Sequence, residues 1–149
     1  MSEVLFYHLT EKTLEETLPG LLEKCAERDW KSVVQVGSDE RLEALDSHLW
    51  TWREESFLAH SALRDGNEKW QPVFLTCEKD NPNDAQIRFM VDGAEPPDLS
   101  PYQRGIYIFD GHDEAALANA RERWKAEKAG GHDVTYWQQG ARGKWEKKA

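Results

Sequence analysis

Cysteine is scarce in this 149-residue chain, which has only Cys25 and Cys77. They lie too far apart for a CxxC pair or a cysteine metal cluster. This argues against a small disulfide-stapled fold and points to reduced, buried thiols of the cytosol. Long apolar runs are missing too. Nowhere do eighteen apolar residues follow one another, and the opening MSEVLFYHLTEK lacks the basic and apolar regions of a secretory signal. The expectation is a soluble, cytoplasmic protein. Phosphate-loop glycines are absent, with neither GxxxxGK[ST] nor GxGxxG present. Gly37-Ser38 is followed by Asp39-Glu40, which sets negative charge where a phosphate must sit. Ser38 reads instead as a helix cap. The histidines His8, His48, His60, His112 and His132 are scattered without HExxH, so no metal or cofactor is expected. There is no GxSxG elbow, and Cys77 has no evident histidine partner, so the chain reads as non-catalytic.

What is present is aromatic and acidic. Seven Trp, five Phe and four Tyr argue against disorder, and a chain of this length can bury one substantial core. The net charge of −9 is unevenly spread: residues 121–149 hold eight Lys or Arg against four Asp or Glu, leaving −13 on the other 120 residues. A basic patch on an acidic body attracts anions locally and repels them elsewhere. Strong direct DNA binding is therefore not expected, because phosphate contacts need a wide positive footprint.

The hydrophobic pattern predicts alternating strands and helices. Strands are expected at Val4 to Leu9 and Ser32 to Val36. A helix is expected over Thr13 to Glu27, with Thr13 and Glu16 in capping-box register and Pro19-Gly20 set to bend or split it. A second helix runs to about Trp52, with Leu42, Leu45, Leu49 and Trp52 inward. Phe57 to His60 reads as extended, and Arg64 to Asn67 as a turn. Further strands are predicted at Pro72 to Cys77, Gln86 to Val91, Gly105 to Phe109 and Val134 to Gln138. The longest helix is predicted from Asp113 to Lys128, stopped by Gly130-Gly131. Such alternation implies an α/β fold with a mainly parallel sheet and helices on both faces. The expected organisation is a single domain over residues 1–139 and an exposed basic tail over 140–149.

Within the long helix, Arg121, Trp124, Lys125 and Lys128 stand at i, i+3, i+4 and i+7, so three cations and one indole share a face. One reading packs Trp124 inward beside Leu117 and Ala120, with the cations merely solvated. The other adds Tyr136 or Trp137 from the following strand to make an apolar floor with a charged rim. That arrangement suits a peptide with an apolar end and a free carboxylate.

In their order and spacing, the blocks FYHL, DSHLWTWREESFLAH (46–60), NPNDA (81–85) and RERWKAEKAGGHDVTYWQQ (121–139) resemble the chi subunit of bacterial DNA polymerase III, a clamp-loader accessory protein. The resemblance spans nearly the whole chain. It implies a three-layer α/β/α sandwich, Rossmann-like in outline without nucleotide chemistry. It also implies a role as a non-catalytic adaptor that holds the acidic C-terminal tail of single-stranded DNA-binding protein. The tail site it implies comprises Arg121, Trp124 and Lys125, with Lys128 as a rim cation and Val134 and Tyr136 as pocket walls. A surface for a second partner, the psi subunit, is implied at Trp50 and Phe57. Leu117 departs from the pattern, since some members place a basic residue one turn before Arg121. An orphan enzyme or small-ligand domain on the same architecture is the alternative, and a direct single-strand DNA binder using Trp124, Tyr136 and the tail lysines ranks last.

Overall fold

The structure, a computed structural model, describes residues 2–51, 72–140 and 144–148, with Trp50 and Thr51 described by backbone alone. Among the described residues the elements follow in the order β1 (Glu3–Leu9), α1 (Leu14–Glu27), β2 (Ser32–Gln35), α2 (Asp39–Thr51), β3 (Val73–Thr76), β4 (Ile87–Met90), β5 (Arg104–Asp110), α3 (Glu114–Ala129), β6 (Asp133–Gln139) and β7 (Trp145–Lys147). The strands form one sheet in the order β3-β2-β4-β5-β1-β6-β7. All neighbours are parallel except β7, which runs antiparallel to β6.

Strand alternation divides the core into two layers. Leu5, Leu9, Ile106, Ile108, Val34 and Phe89 face α1 and α2, meeting Leu18, Leu22, Leu45 and Leu49. Val4, Phe6, Val33, Met90 and Tyr107 face the other way, toward Ala120 of α3 and the residues Ala94, Leu99 and Tyr102. The result is the expected three-layer α/β/α sandwich. Leu42 is only half-buried, and Trp52, Phe57 to His60 and Arg64 to Asn67 lie outside the described residues.

Two expectations are corrected. Pro19 does not split α1, which is one continuous helix behind a complete capping box: the Glu16 amide donates to Thr13 Oγ1 at 3.2 Å and the Thr13 amide to Glu16 Oε1 at 3.1 Å. Proline lacks an N–H, so the carbonyl of Glu15, four residues earlier, loses its helical partner. His48 of α2 supplies the replacement, with Nε2 2.7 Å from the Glu15 oxygen. Because a carbonyl only accepts, Nε2 carries the proton. The helix interruption has become a tie between two helices.

The C-terminal segment also differs from expectation. Residues 145–147, expected in an exposed tail, form β7, closed by the Gly140 amide donating to the Lys144 carbonyl at 2.7 Å. Trp145 stacks on Tyr7 with ring centroids 4.5 Å apart, which supplies the apolar anchor of this charged run. The side chains of Glu146, Lys147 and Lys148 remain exposed.

Of the two thiols, Cys25 is buried and Cys77 half-buried, and both are free. Burial pushes the Cys25 thiol pKa up, which keeps it protonated and inert.

Arg88 on β4 is fully buried. Its guanidinium donates to Gln35 Oε1 at 3.1 and 2.7 Å, to the carbonyls of Asp80 and Glu78 at 2.7 and 2.6 Å, and to the Tyr102 hydroxyl at 2.9 Å. None of these acceptors is a carboxylate. Among the described residues the hydrogen bonds that replace its water all come from neutral dipoles, and they join β4, β2, the turn after β3 and the turn before β5.

Candidate functional site

The long helix α3 is positioned from both ends. At its start Asp113 Oδ1 accepts from the amides of Ala115 and Ala116 at 3.0 and 3.2 Å, a capping pattern that satisfies two otherwise orphaned donors. At its end Gly131 adopts φ +82°, which a side chain would resist, and the His132 amide returns to the Glu127 carbonyl. The Glu127 carboxylate accepts from the Tyr107 hydroxyl of β5 at 3.0 Å, and burial pushes that phenol's pKa strongly upward. The last turns of α3 are thereby fixed against the sheet.

On that face lies a pocket of about 310 Å³ lined by Ala120, Arg121, Trp124, Lys125 and Tyr136. Trp124 is half-buried, neither wholly core nor wholly surface, and stands edge-on to Phe6 at 5.6 Å and to Tyr136 at 5.9 Å. Arg121 and Lys125 are exposed at the rim. Lys125 lies 3.9 Å from the carboxylate of Glu122; both side chains are about three-quarters exposed, so the pair holds the lysine weakly. Burial raises the Tyr136 phenol pKa and the nearby Arg121 opposes it, so the ring is a neutral wall at physiological pH.

The structure thus brings together four of the six residues singled out in the sequence. Lys128 sits one turn on, with its ammonium 4.8 Å above the Trp124 ring centroid, where it holds the indole through a cation–π contact. Val134 packs half-buried against the core beneath α3 and does not line the pocket. Leu117 is half-buried and also off the pocket. Ala120 is an addition: a small residue there leaves room between the helix and Tyr136. The other surface singled out lies largely beyond description. Trp50 belongs to the last turn of α2 with its side chain outside the described residues, and Phe57 is outside them altogether.

A family model described as DNA polymerase III chi subunit, HolC, matches residues 1–135, nearly all of the chain and all of α3. The chain belongs to the chi family of DNA polymerase III. It is similar to the protein of Rickettsia prowazekii (strain Madrid E) named "Probable DNA polymerase III subunit chi", with 26% identity over 109 residues. That alignment covers 73% of this chain and 66% of the relative, so the chain spans a little under two thirds of the relative's length. The chi family match ends one residue before Tyr136, the strand residue that closes the pocket.

A second, larger cleft of about 860 Å³ opens at the carboxyl ends of β1 and β5. From these adjacent strands the chain leaves to opposite faces of the sheet, through α1 and α3, which is where open α/β folds bind ligands. In this chi-family chain the loop after β1 is already filled. Gln139 is buried, and its Oε1 accepts from the successive amides of Thr10, Glu11 and Lys12, each at 3.1 Å. A cluster of amides like this is suited to a phosphate oxygen. Here a neutral side chain from the end of β6 takes that place, and the Thr10 hydroxyl donates back to the Gln139 carbonyl at 2.7 Å. Around the cleft stand Glu11, Glu15, Asp92, Asp110 and Asp113, which outnumber Lys12, His112 and an Arg41 held between Glu15 and Asp92. Sequence reasoning found no phosphate-loop motif. The contact that occupies this loop joins residues about 130 positions apart, which no local pattern reveals.

Proposed function

We propose that this chi-family protein is a non-catalytic, cytoplasmic adaptor that links the polymerase III clamp loader to single-stranded DNA-binding protein by capturing that protein's acidic C-terminal tail. The observation that carries the reading is the pocket on α3, where Arg121 and Lys125 rim an apolar wall of Trp124 and Tyr136. A peptide ending in an apolar residue and a carboxylate presents the matching chemistry. The guanidinium pairs with the carboxylate while the aromatic rings take the side chain out of water. The site's size fits the end of a chain rather than a folded surface. A footprint this small falls below the roughly 1,200 Å² of stable interfaces, so binding is modest, in the micromolar range, and depends on charge for encounter. The acidic remainder of the body discourages competition for the DNA that the partner coats. A contact with the psi subunit around Trp50 and Phe57 belongs to the same proposal.

The nucleotide-domain alternative has the large cleft in its favour. Against it stand the Gln139 oxygen in the amide cluster and the surrounding carboxylates, which together oppose a phosphate. A comparison of intact single-stranded DNA-binding protein with the same protein lacking its last residues tests the adaptor reading. The intact protein is expected to bind, with affinity falling as salt rises, and the truncated one to lose binding. Equal binding of both, or a thermal shift with a nucleoside triphosphate alone, would overturn it.

A further inference from the structure

His8 on β1 is half-buried, with Nδ1 2.7 Å from the hydroxyl of Tyr136 on the neighbouring strand. Its ring lies 5.3 Å from that of Phe109 and edge-on to Tyr136 at 5.9 Å. Phe109 in turn lies 6.0 Å from Tyr136. On the far side of the imidazole, a β-carbon at Gly111 would run into the His8 ring and the Leu9 carbonyl, so the glycine is what lets the ring lie there. Besides Tyr136, the titratable neighbours that act on His8 among the described residues are His112 and Asp110, neither of which lines the pocket. Tyr136 is the shared member: its ring faces Trp124 in the pocket, and its hydroxyl faces His8 behind it.

We propose that His8 is a positioning residue of the pocket, holding the Tyr136 hydroxyl so that the ring stands across from Trp124 as a fixed wall. The inference rests on the tail-capture reading and specifies how that site is built. Tyr136 has a rotatable ring on the second-outermost strand of the sheet, with β7 beyond it only three residues long. Without a partner for its hydroxyl, the half-buried phenol either leaves a polar group unsatisfied or turns outward toward water, and either result opens the wall. The His8 bond removes that choice before the ligand arrives. Preorganisation of this kind raises affinity without any direct contact to the peptide.

The test is a double-mutant cycle read by calorimetric titration of the full chain with a short acidic peptide ending in Phe and a free carboxylate. His8→Leu and Tyr136→Phe are each expected to weaken binding by roughly 3- to 10-fold, with the double variant no weaker than either single one. His8→Asn, whose side-chain amide reaches the place of Nδ1, is expected to restore most of the loss, which a merely space-filling role would not predict. Should His8→Leu fail to fold, Tyr136→Phe and Gly111→Ala, which displaces the imidazole without deleting it, carry the same expectation. Absent binding by the unaltered chain overturns the tail-capture reading and the role of His8 with it. Binding by the unaltered chain with His8→Leu unchanged, or with additive effects in the double variant, overturns the positioning role alone.

Discussion

Trp124→Ala is expected to weaken capture of an acidic, apolar-ended peptide by about 30-fold or more while the domain still melts cooperatively. The indole is the largest apolar element of the pocket, and buried tryptophans dominate small interfaces, where truncation commonly removes 2 kcal/mol or more. Its half-buried contacts with Phe6 and Tyr136 contribute to the fold as well, so a stability loss of about 1–2 kcal/mol accompanies the change. Arg121→Ala separates the two roles. That side chain is exposed, so its removal leaves the melt within about 0.5 kcal/mol while binding falls roughly tenfold or more through the lost carboxylate pairing. Titration and thermal melts on the two variants check this. A Trp124→Ala chain that binds normally, or one that no longer melts cooperatively, would return the residue to a purely structural role.

Arg88→Met should produce the largest loss of stability of any single change considered, about 3–5 kcal/mol, with a fall in melting temperature of about 10 °C or more. The replacement fills much of the volume but strands Gln35 Oε1, two backbone carbonyls and the Tyr102 hydroxyl away from water. Arg88→Lys is expected to rescue little, because one ammonium cannot reach acceptors placed around a planar fork. Burial lowers the arginine's pKa without discharging it, so the penalty persists across ordinary pH. Peptide binding measured well below the melt should be unchanged, since the residue packs against the turns before and after β4 rather than against α3. A melting temperature within a degree or two of the unaltered chain would contradict this account.

Much of the architecture was legible in the residues because its signals are local. Thr13 and Glu16 form their capping box, Ser38 accepts from the Arg41 amide at 3.3 Å at the head of α2, and Gly130-Gly131 closes α3. Strands β1 to β6 lie within a residue or two of their expected places. What escaped depends on distant partners. Pro19 reads as a break because its remedy, His48, lies in another helix. The segment around Trp145 reads as a tail because three residues rich in charge carry little strand pattern. Its support is a ring on β1 and a ladder on β6.

The pocket was legible for a similar reason. Spacing along one helix put Arg121, Trp124 and Lys125 on a common face, and proximity in sequence suggested that β6 would follow beside it. Lys128 and Val134 were placed at the correct helix and strand, yet their side chains support the wall rather than line it. His8 and Gln139 gave no warning. In the sequence one is a polar residue in an aromatic strand and the other the last residue of a basic block. Each acquires meaning only when β1 and β6 become neighbours, which a parallel pairing through a long crossover decides.

The central claim, that this pocket recognises an apolar terminus and its carboxylate together, is tested most directly by titrating the protein with two peptides. One matches the acidic tail of single-stranded DNA-binding protein, and the other is the same peptide without its last, apolar residue. Micromolar binding of the first, and binding of the second weakened at least about tenfold, is the predicted result. Equal affinity for the two peptides, or no measurable binding of either, would contradict it.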